Sequence, residues 1–307
     1  MTSHAKSRSA STMPAGPTVL REAGALGLLT WPALDASGAQ AAVTTRSGGV
    51  SSGPYSSLNL SLGVGDDPAA VLENRRRLAA GFGARLADFV FAGQVHGAGV
   101  RVVGHADAGS GAFSGGDAIP ATDALVTSTP GVVLAILTAD CVPIVLHDPV
   151  AGVLACVHAG WRGTVARVCA AAVAAMQTLG SRPADVVAGI GPAIAPARYQ
   201  VGPDVHQAVT QAFAPVPQAA PVPFLQPDSA PGRWRLDLWS ANRFVLTEAG
   251  VPASQIYVTD VPTGPTDPPD PAGPADHRGL GSFFSDRTAR PCGRLALIAR
   301  LRTGGHR

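Results

Sequence analysis

Cys141-Val-Pro-Ile-Val-Leu-His-Asp-Pro-Val-Ala-Gly-Val-Leu-Ala-Cys-Val-His158 consists of two apolar arms around Asp148-Pro149-Val150-Ala151-Gly152. Asp, Pro and Gly at those places favour a turn, so the stretch reads as an antiparallel hairpin. Its arms are apolar at odd and even positions alike, which suits strands buried on both faces of a sheet. Centring the turn between Pro149 and Val150 makes Cys141 and His158 direct cross-strand partners. The Cβ atoms of such a pair stand about 4.5–5.5 Å apart, close enough for a thiolate and an imidazole to share one metal ion. A one-residue change of register, which a bulge at Pro143 would cause, breaks the pairing.

Further strands are predicted on either side. Segments 124–127 and 132–137 precede the hairpin, and 164–179 follows it as a helix, with Val165, Val168, Ala172, Val173, Met176 and Leu179 at helical spacing and Gly180 as the stop. Segment 40–46 reads as a strand entering a loop rich in glycine at Gly48, Gly49 and Gly53. Asp67-Pro68 opens a helix to about residue 80, with Asp67 as N-cap and Pro68 at the first helical position. Segments 89–95 and 100–103 are strands around the turn His96-Gly-Ala-Gly99, 107–121 is an exposed loop, 236–249 a helix and 295–301 a final strand. Segments 215–231 and 262–274 carry too many prolines for a central strand or long helix and read as surface loops.

Composition bounds the function classes. The 307 residues, 46% hydrophobic and 14% charged, can bury a substantial core, and no linker divides them, so one α/β domain over 25–307 is expected after a disordered leader over 1–24. A formal charge of +2 implies no nucleic-acid partner, and the basic run Arg75-Arg76-Arg77 reads as a solvated helix face. The leader lacks the apolar core of a signal peptide, and no apolar stretch reaches the roughly 18–20 residues that span a bilayer. No membrane association and a cytoplasmic location follow as expectations, with a monomer or weak homo-oligomer. Four cysteines, Cys141, Cys156, Cys169 and Cys292, are then free thiols or metal ligands in preference to disulfides.

A third ligand to join Cys141 and His158 is best supplied by His96, in a turn at a strand end between glycines. His147 lies far along the arm from Cys141, and His4 and His306 are in tails. Three protein ligands leave the fourth position of a tetrahedral zinc open, as catalytic sites do; Cys156, two residues before His158, is the candidate that would close it into a structural site. A Cys141–His158 nucleophile pair is the rival chemistry, which spacing alone does not separate.

Five phrases occur in order: Thr44-Thr-Arg-Ser-Gly-Gly-Val-Ser-Ser-Gly-Pro-Tyr-Ser-Ser-Leu-Asn-Leu60, Gly65-Asp-Asp67, Gln94-Val-His-Gly97, Thr138-Ala-Asp-Cys-Val-Pro143 and His158-Ala-Gly-Trp-Arg-Gly163. Together they resemble the laccase-domain or polyphenol oxidase family, whose bacterial members are described as purine nucleoside phosphorylases or peptidoglycan editing factors. The resemblance implies a layered α/β/β/α domain with mixed sheets and a zinc held by His96, Cys141 and His158. It also implies phosphorolysis of adenosine, inosine, guanosine and methylthioadenosine, with adenosine deamination besides. Copper suits the chain less well, since a multicopper oxidase needs many paired histidines and this sequence has eight, scattered.

For these reactions Arg46, beside Gly48 and Gly49, is the expected phosphate cation, with Asn59 and Arg162 as further substrate contacts. Asp140 is assigned acid–base work or the orienting of a histidine, and Arg162 alternatively pairs with Asp123 or Asp140. The sequence departs from the family pattern in Phe283-Phe-Ser-Asp-Arg287, after a proline-rich insert, and in Gln200 where Glu is usual. Two other functions remain open: an amidase that removes a misincorporated amino acid from a peptidoglycan precursor, and a zinc-stabilised binding protein without turnover.

Overall fold

The computed structural model describes residues 18–213, 222–265 and 282–302. The chain begins with β1 (Val19–Ala23), β2 (Leu26–Thr30), α1 (Pro32–Ser37), β3 (Ala39–Thr44) and α2 (Pro68–Gly81). There follow β4 (Phe89–Phe91), β5 (Val100–Val102), β6 (Ala124–Thr127), β7 (Val133–Thr138), β8 (Val142–Asp148) and β9 (Val153–Ala159). Next come α3 (Trp161–Val165), α4 (Val168–Thr178), β10 (Val187–Ile190), β11 (Gln200–Val201), α5 (Pro203–Phe213), β12 (Leu225–Pro227) and β13 (Trp234–Leu236). The described chain ends with α6 (Leu238–Glu248), β14 (Ile256–Val258) and β15 (Leu295–Leu301).

Two six-stranded sheets, ordered β1-β2-β3-β15-β7-β4 and β14-β10-β8-β9-β6-β5, pack face to face, and a small sheet β11-β13-β12 stands beside them. Side-chain alternation sorts the core into three layers. Val142, Ile144 and Leu146 of β8 with Val153, Ala155 and Val157 of β9 face α4, α5 and α6. Val145, Leu154 and Cys156 face the other way, onto Val43, Ile136 and Leu297 of the first sheet. That sheet's outer face, including Ala42, Ala135 and Ile298, is covered by Leu78 and Phe82 from α2 and the residue after it. The α/β/β/α expectation therefore holds, and the sheets are mixed: β4–β7, β5–β6 and β10–β14 pair parallel while the rest are antiparallel.

Several local expectations need correction. Ordered structure starts before residue 25, because β1 pairs with β2 from Val19↔Thr30 to Ala23↔Leu26; residues 1–17 of the expected leader lie outside the described residues. The helix foreseen over 164–179 is two, since Arg167 adopts φ 61° between α3 and α4. Arg75 is not solvated: at 3% exposure it donates to the carbonyls of Leu60, Gly111 and Ala112, whereas Arg76 and Arg77 pair with Glu73 at the surface. Gly111 and Ala112 are thereby buried within the loop expected to be exposed. Of the proline-rich stretches, 222–231 includes edge strand β12, and residues 214–221 and 266–281 lie outside the described residues.

The hairpin forms with a different register. Pro143 pairs with His158, and Asp148 with Val153, leaving residues 149–152 as the loop. Asp148 decides this: its carboxylate accepts the N–H groups of Val150 and Ala151 at 2.8 and 2.9 Å while its other oxygen accepts from Ser181 Oγ and Arg182 N. Gly152, at φ 65°, supplies the left-handed residue that closes the loop.

His147, beside Asp148, carries a pH dependence of stability. Its ring is 3% exposed with Nδ1 2.8 Å from Ser37 Oγ, and burial, outweighing the neighbouring Asp148 carboxylate, pushes its pKa from 6.5 down to about 4. Between those values the unfolded chain binds a proton that the fold refuses. Stability contributed by neutral His147 is therefore complete above pH 6.5 and falls, by up to about 3 kcal/mol, as pH drops to about 4. Urea unfolding across this window should show a shallower pH slope for His147→Gln than for the parent; equal slopes would refute the assignment.

Candidate metal centre

Cys141 and His158 meet, though not as direct partners. Extending the observed register places Cys141 opposite Gly160, so His158 is its diagonal neighbour on the same face, towards the other sheet. The shift from the expected register is two residues, and a period of two returns every side chain to its original face. Gly160 is required at this point, because a Cβ there would lie 2.8 Å from Cys141 Sγ and 3.2 Å from His96 Cδ2. Gly163 has a similar role, since its Cβ would sit 2.9 Å from the Gly97 carbonyl.

His96 arrives from the loop between β4 and β5, with φ 60°. Two interactions hold that loop. The Gln94 side-chain amide donates to Leu137 O at 2.7 Å and accepts from Leu137 N at 2.8 Å, continuing the sheet edge with a side chain. Asp123, at the start of β6, accepts N–H groups from Val95, His96 and Gly97 at 3.3, 2.9 and 2.7 Å. The same fully buried carboxylate lies 2.8 Å from His158 Nδ1. Nε2 of His158 is then the nitrogen left for a metal, the usual arrangement of a carboxylate behind a ligating imidazole. Asp123, not Asp140, is the orienting residue; its position directly before an apolar strand is the one signal of it in the sequence.

The donor atoms of His96, Cys141 and His158 lie within 4.8 Å of one another, the one such group among the described residues. The two imidazoles stand nearly edge to face, 4.8 Å between ring centroids. Burial disfavours a thiolate at Cys141, but the charge and hydrogen bonds of His158 and His96 outweigh it and bring the thiol down to about 6. Burial likewise opposes a charged His158, and Cys141 and Asp123 overcome it, so the imidazole pKa is raised. A thiol that ionises readily beside two imidazoles is chemically suited to a divalent metal of intermediate softness.

The triad opens on a cavity of about 760 Å³. Asp140 and Arg162 line it, but Arg46, Gly48, Gly49 and Asn59 do not. Arg46 is buried, its guanidinium donating twice to Ser56 O and lying 4.5 Å from the Phe284 ring centroid. Gly48 and Gly49 are packing residues: Cβ atoms there would fall 2.5 Å from Ala25 O and 2.0 Å from Ser57 O. Asn59 is fully buried, donating to Ser61 O and Asp66 and accepting from Ser61 N and Arg294 N. These four residues are packed in the 46–66 loop, outside the described lining of the cavity. Asp140, at φ 93°, spends both carboxylate oxygens on Thr263 Oγ1 and Arg287 N, at 2.6 and 2.7 Å. Arg162 pairs with neither Asp123 nor Asp140; its guanidinium lies over Trp161.

Cys156 does not close the site. It is fully buried between the sheets, opposite Val145 and Leu125, and its thiol pKa is pushed far up by burial. If the His96–Cys141–His158 group holds a metal, Cys156→Ser should keep the parent's metal content, as read by elemental analysis of the purified variant, with a modest loss of stability from the buried hydroxyl. Loss of metal would reveal a fourth protein ligand.

Residues 40–302 match the family described as multi-copper polyphenol oxidoreductase laccase. The purine nucleoside phosphorylase YlmD of Geobacillus stearothermophilus is 43% identical over 224 residues, 73% of this chain and 80% of that protein. The adenosine deaminase RL5, from an unknown prokaryotic organism, is 38% identical over 219 residues, covering 71% of this chain and 82% of its own length. The crystal structure of YlmD from Geobacillus stearothermophilus superposes with a TM-score of 0.81 at 38% identity, over 93% of this chain and all of that one.

Proposed function

From a chain that belongs to the multi-copper polyphenol oxidoreductase laccase family, with relatives named for purine nucleoside chemistry, we propose a zinc-dependent purine nucleoside phosphorylase that also deaminates adenosine. The observation that carries this reading is a two-histidine, one-cysteine group at the wall of a cavity of about 760 Å³, a volume that suits a nucleoside with phosphate. His96, Cys141 and His158 would hold the metal, leaving a fourth position towards the cavity. Two imidazoles converging on one sulfur exceed what a nucleophile and its base require.

Bound zinc supplies Lewis acidity and activates water at neutral pH. The protein's own contribution is positional. Asp123 holds His158 in one tautomer and shapes the turn that presents His96. In phosphorolysis a phosphate oxygen forms the new bond to the ribose anomeric carbon, and the purine leaves with the electron pair of the glycosidic bond. In deamination, water adds to the purine carbon bearing the amino group, which departs as ammonia.

Purified protein with inosine, guanosine, adenosine or methylthioadenosine should release free base only when phosphate is present, with ribose 1-phosphate or its methylthio analogue as co-product. Adenosine should also yield ammonia without phosphate. Inertness towards all four, with hydrolysis of a nucleotide-sugar amino-acid precursor, would replace this reading by the amidase.

A further inference from the structure

Resting on the phosphorylase reading, we propose that Arg162 and Arg287, and not Arg46, which is absent from the cavity's described lining, form the phosphate subsite of the cavity. Among the described residues five arginines line the cavity: Arg75, Arg162, Arg287, Arg290 and Arg294. Three are already satisfied. Arg75 is buried against three backbone carbonyls, while Arg290 and Arg294 share the Asp286 carboxylate at 2.5 and 2.9 Å. Arg162 and Arg287 form no ion pair among the described residues.

Arg287 is held ready for an anion. Its backbone N–H is fixed by Asp140 Oδ2, the residue next to Cys141, and one guanidinium nitrogen donates to Gln200 O at 3.2 Å. Its guanidinium carbon lies 5.3 Å from the Tyr199 ring centroid, leaving most of its donors uncommitted. Arg162 follows His158 by four residues, on α3, and its guanidinium stacks on Trp161 at 4.4 Å with no side-chain hydrogen bond to protein among the described residues. Both arginines line the same cavity as His96, Cys141 and His158, with Tyr199 beside Arg287 on its wall. Two forked cations lining one cavity suit a tetrahedral dianion, which accepts several charge-assisted hydrogen bonds at once. Asp140 accordingly acts as a positioning residue for Arg287.

The test measures KM for inorganic phosphate in nucleoside cleavage, and the rise in Tm that phosphate produces, for the parent and for Arg162→Gln, Arg287→Gln and Arg287→Lys. Each Gln variant should raise the phosphate KM by about 10- to 100-fold and lose most of the Tm rise, with metal content unchanged. Arg287→Lys should recover part of the affinity, since the charge remains and the fork does not. If the parent cleaves nucleosides with phosphate and the Gln variants keep its phosphate KM, the subsite is wrong and the phosphorylase reading stands. If the parent shows no phosphate-dependent cleavage, that reading fails. The Tm arm then decides the subsite alone: a phosphate-induced rise that the Gln variants lose upholds it, and no rise in the parent overturns it.

Discussion

Cys141→Ala is expected to strip the metal from the protein and to lower kcat/KM for nucleoside cleavage by about a thousandfold or more. Cys141 is the sole sulfur in the donor group, and His96 and His158 alone make a poor zinc site. Electrostatic help from a catalytic metal is worth several kcal/mol in the transition state, and about 4 kcal/mol corresponds to that factor. The fold should survive, because Cys141 precedes β8 at the cavity wall, where the lost thiol leaves space continuous with the cavity. Elemental analysis, steady-state kinetics and circular dichroism of the variant together separate loss of the site from loss of the fold. Full activity in a metal-free variant would remove the triad from the mechanism.

Asp123 should matter almost as much, in two distinguishable ways. Asp123→Asn keeps the shape but leaves one acceptor oxygen where the carboxylate uses two, and it withdraws the charge behind His158. Metal affinity should weaken by about 10- to 100-fold, as removal of such orienting carboxylates does elsewhere. Asp123→Ala goes further. Three backbone N–H groups and the His158 ring lose their buried acceptor, and the fold should be destabilised by about 3–5 kcal/mol. Competition with a chelator reads the first effect, and denaturant unfolding of the metal-free protein reads the second. Parental metal affinity in Asp123→Asn would show that the carboxylate shapes the loop without tuning the ligand.

The elements that were legible in the sequence are those specified by neighbours a few residues away. Asp67 caps α2 by accepting from Ala69 N at 3.0 Å, and Asp237 does the same for α6 through Ser240 N. The doubly apolar arms of β8 and β9 announced burial on both faces, and both strands are buried throughout. By contrast, the run Arg75-Arg76-Arg77 looks uniform. The carbonyls of Leu60 and, brought over it by the 107–121 loop, of Gly111 and Ala112 pull Arg75 inside. In the glycine-rich 46–59 stretch a cation beside two glycines has the composition of an anion site, and the structure shows a second reason for the glycines, the close passage of Ala25 and Ser57.

The candidate ligands Cys141 and His158 and the hairpin that joins them follow from local pattern, since turn chemistry and strand periodicity act over a handful of positions, whereas His96 rests mainly on the family resemblance. Register, orientation and the free cations of the cavity were decided in three dimensions. Asp148 sets the hairpin loop through Ser181 and Arg182, Asp123 orients His158 from 35 residues away, and Arg287 is fixed by Asp140 from 147 residues away. Such contacts carry no periodic trace, because each partner is chosen by how the sheets stack and not by its own neighbours. Cys141 and His158 still met, since a shift of two residues leaves both on the face between the sheets.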